Sequence, residues 1–367
     1  MKKEKTLTRK GISDLKPYVP GKPIEDVKRE LGLEEVIKLA SNETSVGPSP
    51  LAVEAVKKEA GNINLYPEAT SRLLREKLAN KLKIDKEMII FGNGADDVID
   101  LIGMAFINEG DEVITCETTF PAYRTAVKIM GGKLILVKLK DFRFDLAEIV
   151  KRINEKTKMI FLCNPNNPTG TIVNKEAVDR FMKQIPDDII VVFDEAYCDY
   201  VENKNYVNGL PFVSEGKNVI VVRTFSKIAG IAGVRVGYAI ARQELISYLR
   251  RVVNPFTTNR LAQVAALASL DDEEHRKKVL NSNHEGKKYL YNELKKLELF
   301  YVLTETNFIF IDVKKDSETI FEKLLKKGVI IRPGKPYGCA NFIRVTIGTA
   351  YENKKFIQAI REIKNVG

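Results

Sequence analysis

The chain has 367 residues, 44% hydrophobic and 29% charged, with a net charge of +10; these values suit two globular domains, or one large domain and a smaller lobe. Its 59 basic residues are interspersed with 49 acidic ones, as in Lys57-Lys58-Glu59 and Lys295-Lys296-Leu297-Glu298, so no clustered stripe marks a nucleic-acid footprint. No stretch reaches the roughly 18 apolar residues of a membrane span. No signal-peptide core follows the charged residues 1–5, and Cys116, Cys163, Cys198 and Cys339 form no CxxC pair, which predicts a cytoplasmic protein with reduced thiols.

Residues 1–30, with Pro17, Pro20 and Pro23, predict an extended N-terminal arm. From there short β-branched runs alternate with helical patterns. Strands are predicted at 88–91, 112–115, 134–137, 159–163, 189–193, 219–222 and 236–240, with a helix after the first that puts Val98, Leu101, Ile102 and Ala105 on one face. Several of these runs are apolar on both faces, as parallel strands covered by helices must be. The prediction is an α/β fold: a large domain over 31–255 with a mostly parallel sheet between helices, and binding residues at the carboxyl ends of strands.

Residues 256–367 predict a smaller α+β C-terminal domain, with long helices to about Leu297 and strands at 307–312, 328–332 and 342–347. His275 and His284, the two histidines, lie in a charged helical stretch where a solvated face is expected for both. Histidine-based catalysis and a metal site are therefore not expected.

Five places carry chemistry. Gly92-Asn93-Gly94-Ala95-Asp96-Asp97 joins a predicted strand to a helix, where glycines permit a tight turn and helix-start amides can hold a phosphate. Asn164-Pro165-Asn166-Asn167-Pro168-Thr169-Gly170 is a dense run of turn residues that can aim an Asn amide into a site at a strand end. Asp194 closes an apolar strand, with Tyr197 three residues on; a carboxylate there needs a partner, either an internal cation or helix cap, or a protonated ring nitrogen.

The fourth place is Arg223-Thr224-Phe225-Ser226-Lys227, with Gly230, Gly233, Arg235 and Gly237 beyond it. A lysine at a strand exit, beside a hydroxyl and an arginine able to reach a phosphate, suits Schiff-base chemistry with an aldehyde cofactor. Arg344, flanked by apolar residues in a strand, is paired either with an internal carboxylate or with a substrate anion; spacing alone does not separate the two.

Taken in order, Gly94-Ala95-Asp96, Asn167-Pro168-Thr169-Gly170, Asp194-Glu195-Ala196-Tyr197, Ser226-Lys227 with Arg235, and Arg344 resemble the fold-type I pyridoxal-phosphate aminotransferases over nearly the whole chain. Within them, Leu15-Lys16-Pro17-Tyr18, Lys38-Leu39-Ala40-Ser41-Asn42-Glu43, Leu65-Tyr66-Pro67 and Ile343-Arg344-Val345-Thr346-Ile347-Gly348-Thr349 resemble the histidinol-phosphate aminotransferases. The resemblance implies pyridoxal 5'-phosphate linked to Lys227, which also moves the proton. Asp194 would pair with the ring nitrogen, Asn167 and Tyr197 would bond the ring oxygen, and Phe120 would stack on the ring. Ala95, Asp96, Ser226 and Arg235 would surround the phosphate, and Tyr66 would reach in from the neighbouring subunit of a homodimer. Arg344, with Arg332 and Tyr18, would bind the substrate anion.

The implied reaction is transamination between small-molecule amine and 2-oxo acid substrates, in histidine biosynthesis, with 2-oxoglutarate and glutamate as the second pair. Two departures bear on substrate identity: Ser45 follows Thr44 where the family often has proline, and the loop 333–341 carries no family signature. An aromatic amino-acid aminotransferase and a threonine-phosphate decarboxylase are the nearest rivals. A non-catalytic pyridoxal-phosphate sensor would normally carry an added DNA-binding domain, for which there is no room.

Overall fold

A computed structural model describes residues 7–9, 11–13, 15, 17 and 21–365. Its strands are β1 (Ile37–Lys38), β2 (Ile89–Gly92), β3 (Glu112–Cys116), β4 (Lys133–Val137), β5 (Thr157–Cys163), β6 (Ile190–Asp194), β7 (Val219–Thr224), β8 (Gly237–Ala241), β9 (Tyr301–Val302), β10 (Phe308–Asp312), β11 (Val329–Ile330), β12 (Arg332–Pro333) and β13 (Phe342–Thr346).

Seven strands form one sheet in the order β2-β8-β7-β6-β5-β3-β4, parallel from β7 to β4 and antiparallel on both sides of β8. The middle strands are buried on both faces: Met159, Phe161, Val191, Phe193, Val219 and Val221 are all at most 1% exposed. That explains their unbroken β-branched and aromatic sequences, since helices cover both sides of the sheet. Each such side chain contributes about 1.5–3 kcal/mol by leaving water. The mostly parallel sheet between helices matches the predicted α/β class.

A second sheet, β12-β13-β10-β9, is antiparallel throughout, and β1 pairs in parallel with β11. The single strand predicted at 328–332 therefore serves two sheets. Val329 and Ile330 face residues 37 and 38, and Arg332 and Pro333 turn to β13. Strand β9 is too short to show a period, and β1 is equally brief; neither was predicted.

The arm predicted over 1–30 contains a helix, Ile24–Leu31. Glu25 and Asp26 sit in its first turn, Val27 is fully buried, and Gly32 closes it with φ 64°. His275 is also a correction: it is 6% exposed, not solvated, although its neighbours Glu273 and Glu274 in the same Asp272-capped turn of the helix Glu273–Lys296 are exposed. His284 stays half-exposed beside Glu202. Two hydrophobic cores follow the two larger sheets. Ala262, Ala265 and Ala266 enter the first, whereas Ile37 and Leu39 join Leu290, Ile311 and Ile343 in the second. We propose a division inside the helix Glu273–Lys296, with residues 37–39 assigned to the smaller unit; the expected limits at 31 and 255 cross both cores.

Candidate active site

Strands β5, β6 and β7 end side by side, Cys163 level with Asp194 and Asp194 level with Val222, so their following loops converge. Lys227 emerges just beyond β7. Its Nζ donates to the Ser41 carbonyl at 3.2 Å and lies 5.7 Å from the centre of the Tyr197 ring. Burial, and then the like charge of Arg344, push its amine down to about 8. A lysine so adjusted is neutral in roughly a fifth of the molecules near pH 7.4, against under about a thousandth for an ordinary lysine, which makes it a far better nucleophile.

Asp194 is 3% exposed. Its Oδ2 accepts from the Tyr123 hydroxyl at 2.5 Å and its Oδ1 from the Ala196 amide at 3.1 Å. Burial pushes its carboxyl up to about 6 against the pull of these donors. No cationic side chain among the described residues stands within ion-pair distance of it. Neither of the internal alternatives left open by the sequence, a salt bridge or a helix cap, is present there; the ion pair in this segment belongs to the next residue, Glu195, with Arg223 at 2.8 Å.

The loop after β5 is braced by Asn166, whose Oδ1 accepts from Thr119 at 2.8 Å and whose Nδ2 donates to Thr169 at 2.9 Å. Its peptides 164–165 and 167–168 are cis. Asn167 is buried, and its Oδ1 accepts from Arg344 Nη1 at 2.6 Å. That bond leaves the Asn167 amide nitrogen as the group free to serve the site.

Arg344 is 5% exposed, and its guanidinium meets neutral acceptors: Asn167, the Tyr337 hydroxyl at 3.0 Å and the Ala40 carbonyl at 2.7 Å. Its Nε has no partner, and no carboxylate among the described residues pairs with it. An unneutralised buried cation is costly unless a ligand anion completes it. Arg332 is directly opposite on β12.

The turn after β2 closes the site on another side. Gly94 has φ 96° and caps the helix Ala95–Phe106, whose first turn presents the Ala95 and Asp96 amides. A Cβ on Gly94 would meet the Arg235 guanidinium at 2.4 Å, and one on Gly237 would meet the Ala95 nitrogen at 2.5 Å. Arg235 itself holds a left-handed φ of 61° and stands 3.9 Å from Asp96. Ser226 is buried, its amide donating to the Thr224 hydroxyl at 3.1 Å. The result is a turn of small residues and amides with one guanidinium over it.

Phe120 is half-buried, edge-on to Tyr123 with ring centres 5.8 Å apart. Tyr66 does not join the cluster: it is 77% exposed and stacks on Phe256 at 4.6 Å. Tyr18 lies outside the described residues. Three contributors had no predicted role. Asn42 donates to the Tyr197 hydroxyl at 2.9 Å, Tyr123 to Asp194, and Tyr337 accepts from Arg344. Asn42 was visible only as part of a family motif, and the two tyrosines carry no local signal because chain folding alone brings them there.

Residues 34–360 match the family model for aminotransferase class I and II. The chain belongs to the class I and II aminotransferases. Among these aminotransferases, it is 51% identical to the histidinol-phosphate aminotransferase of Moorella thermoacetica over 97% of this chain and 92% of that one. It is 46% identical to that of Caldicellulosiruptor saccharolyticus over 97% and 100%. The crystal structure of the Sinorhizobium meliloti histidinol-phosphate aminotransferase with pyridoxal-5'-phosphate superposes with a TM-score of 0.89, 26% identity, and coverage of 96% and 98%.

This aminotransferase uses pyridoxal 5'-phosphate, and its residues fit that group. The buried Asp194, without an ion-pair partner among the described residues, suits a protonated ring nitrogen; the absence of a Cβ at Gly94 and Gly237 lets the Arg235 guanidinium and the Ala95 amide close up into an anion-binding turn; and Lys227 carries a depressed amine.

Proposed function

We propose that the enzyme transaminates histidinol phosphate with 2-oxoglutarate, in histidine biosynthesis. The observation that carries the reading is Arg344, a buried cation lacking an acidic partner among the described residues and linked through Asn167 to the cofactor side of the site. Arg332, opposite it, adds a second positive group suited to a phosphate, and Tyr18 is a third candidate from sequence. The near full-length similarity to enzymes bearing that name supports the same substrate.

Bound at Lys227, pyridoxal phosphate supplies an aldehyde that condenses with amines and a ring that accepts electron density from the substrate carbon. Lys227 Nζ holds the cofactor and, once displaced, takes up and returns the proton that the reaction moves. Asp194 keeps a proton on the ring nitrogen by presenting a carboxylate in a dry setting. Asn167 and Tyr197 donate to the ring oxygen, while Phe120 limits ring movement. Ala95, Asp96, Ser226 and Arg235 hold the phosphate and fix the position of the ring. Arg344 aligns either substrate by its anion, phosphate in one half-reaction and carboxylate in the other.

The enzyme acts as a homodimer in the cytoplasm, with Tyr66 of each chain completing its neighbour's site; the exposed Ile63, Leu65, Tyr66 and Phe256 form an apolar strip that supports this arrangement. No helix among the described residues is long and apolar enough to cross a membrane. The test is half-reaction spectroscopy on the loaded enzyme, offering histidinol phosphate, phenylalanine and threonine phosphate separately. Histidinol phosphate should bleach the visible band at the lowest concentration. Preferential bleaching by phenylalanine would instead establish the aromatic rival, and carbon dioxide release from threonine phosphate the decarboxylase.

A further inference from the structure

Tyr197 Oη makes one hydrogen bond among the described residues, and makes it as acceptor, from Asn42 Nδ2 at 2.9 Å. An amide can be turned over, so the direction of this bond depends on what holds its other end. Thr346 holds it. The Thr346 hydroxyl accepts from the Asn42 backbone amide at 3.0 Å and donates its proton to Asn42 Oδ1 at 3.2 Å. Turning the Asn42 side chain over would strip the Thr346 proton of that acceptor and point Oδ1 at Tyr197, which would then donate to it.

The surrounding packing leaves little room for this. Asn42, Thr346 and Tyr197 are 1%, 2% and 5% exposed. Asn42 keeps a left-handed φ of 54°, and its carbonyl accepts from Asn307 Nδ2 at 3.0 Å. The backbone of Thr346 is itself bonded to the Leu39 carbonyl at 2.9 Å. The arrangement is one-directional from the strand β13 to the tyrosine: Thr346 fixes the amide, and the amide occupies a lone pair of the phenol.

We infer that Asn42 and Thr346 are positioning residues that commit the Tyr197 proton to the ring oxygen of the cofactor. This rests on the functional reading above and goes beyond it, because the proton's direction is set from the small sheet and not by the tyrosine. A donor to that oxygen stabilises its negative charge and weakens its hold on the neighbouring imine proton. Loss of the donor therefore makes the lysine-linked chromophore lose its proton at higher pH. The charged groups facing the site are Arg344, Glu43, Asp96 and Arg235 around Lys227, and Arg344 and Asp194 around Tyr197; a change at Thr346 alters none of them.

The experiment is a spectroscopic pH titration of the loaded enzyme. Thr346→Val, close in shape but without the hydroxyl, should move the midpoint of the visible chromophore upward by about half a unit to one unit. Thr346→Ser should return it, and in a Tyr197→Phe background Thr346→Val should produce no further shift. If Thr346→Val yields no loaded protein, Thr346→Ala takes its place with the same expectation. A wild-type midpoint in the valine or alanine variant, or a shift that persists without the Tyr197 hydroxyl, overturns the inference. Absence of a lysine-linked chromophore from the unmodified protein would overturn the functional reading instead.

Discussion

At Lys227, ionisation and function are linked through one neighbour. The amine sits at about 8 because it is buried and because Arg344 repels a second positive charge. Cofactor capture by the cofactor-free protein should therefore quicken with pH around a midpoint of about 8, and Arg344→Gln should raise that midpoint; an unchanged midpoint in stopped-flow absorbance would refute the coupling. Asp194 behaves in the opposite sense. Its carboxyl lies at about 6 in the folded chain against an ordinary 3.8, so folding loses stability as pH rises through that interval and bears the full cost above it. Asp194→Asn should thus stabilise the cofactor-free protein at neutral pH by roughly 1–3 kcal/mol, while lowering turnover by orders of magnitude. Thermal melts at pH 4 and pH 7.5 check the sign: the gain should be present at the higher pH and shrink at the lower.

At the scale of elements, the turn from β2 into the helix Ala95–Phe106 depends on the absence of a side chain. Gly94→Ala would place a methyl against the Arg235 guanidinium at a φ of 96°, so the variant should lose about 1–3 kcal/mol of stability and bind the cofactor phosphate more weakly. Equilibrium dialysis with pyridoxal phosphate measures the second effect, and unaltered affinity would remove the turn from the site. This turn was legible in the sequence because glycine carries a backbone requirement. The strands β5, β6 and β7 were legible because burial on both faces leaves long β-branched runs. Strands β1 and β9 have two residues each, too few for a period to register. The run at 328–332 has the pattern of one strand because nothing in Val329-Ile330-Ile331-Arg332 announces that its partner changes midway. His275 departs from the solvated-face expectation because its sequence neighbours are charged, whereas the backbone at Ile228 that it meets is far away along the chain.

For the whole molecule, what remained hidden were the contacts across long chain separations that assemble the site: Asn42 to Tyr197 and Tyr123 to Asp194. Motif order implied the cofactor residues, but Tyr66 stands apart from them on its own chain, exposed on Phe256. A homodimer that shares its sites makes a specific prediction. Mixing Lys227→Ala chains with Tyr66→Ala chains should restore about a quarter of normal activity, since random pairing makes half the dimers mixed and each has one intact site. No recovery in that assay would place Tyr66 outside the partner's site. Everything else depends on which amine carries the cofactor. Borohydride reduction of the loaded enzyme, followed by peptide mass spectrometry, reads this directly: the account predicts a single pyridoxyl adduct on Lys227, and an adduct on another lysine, or none, would contradict it.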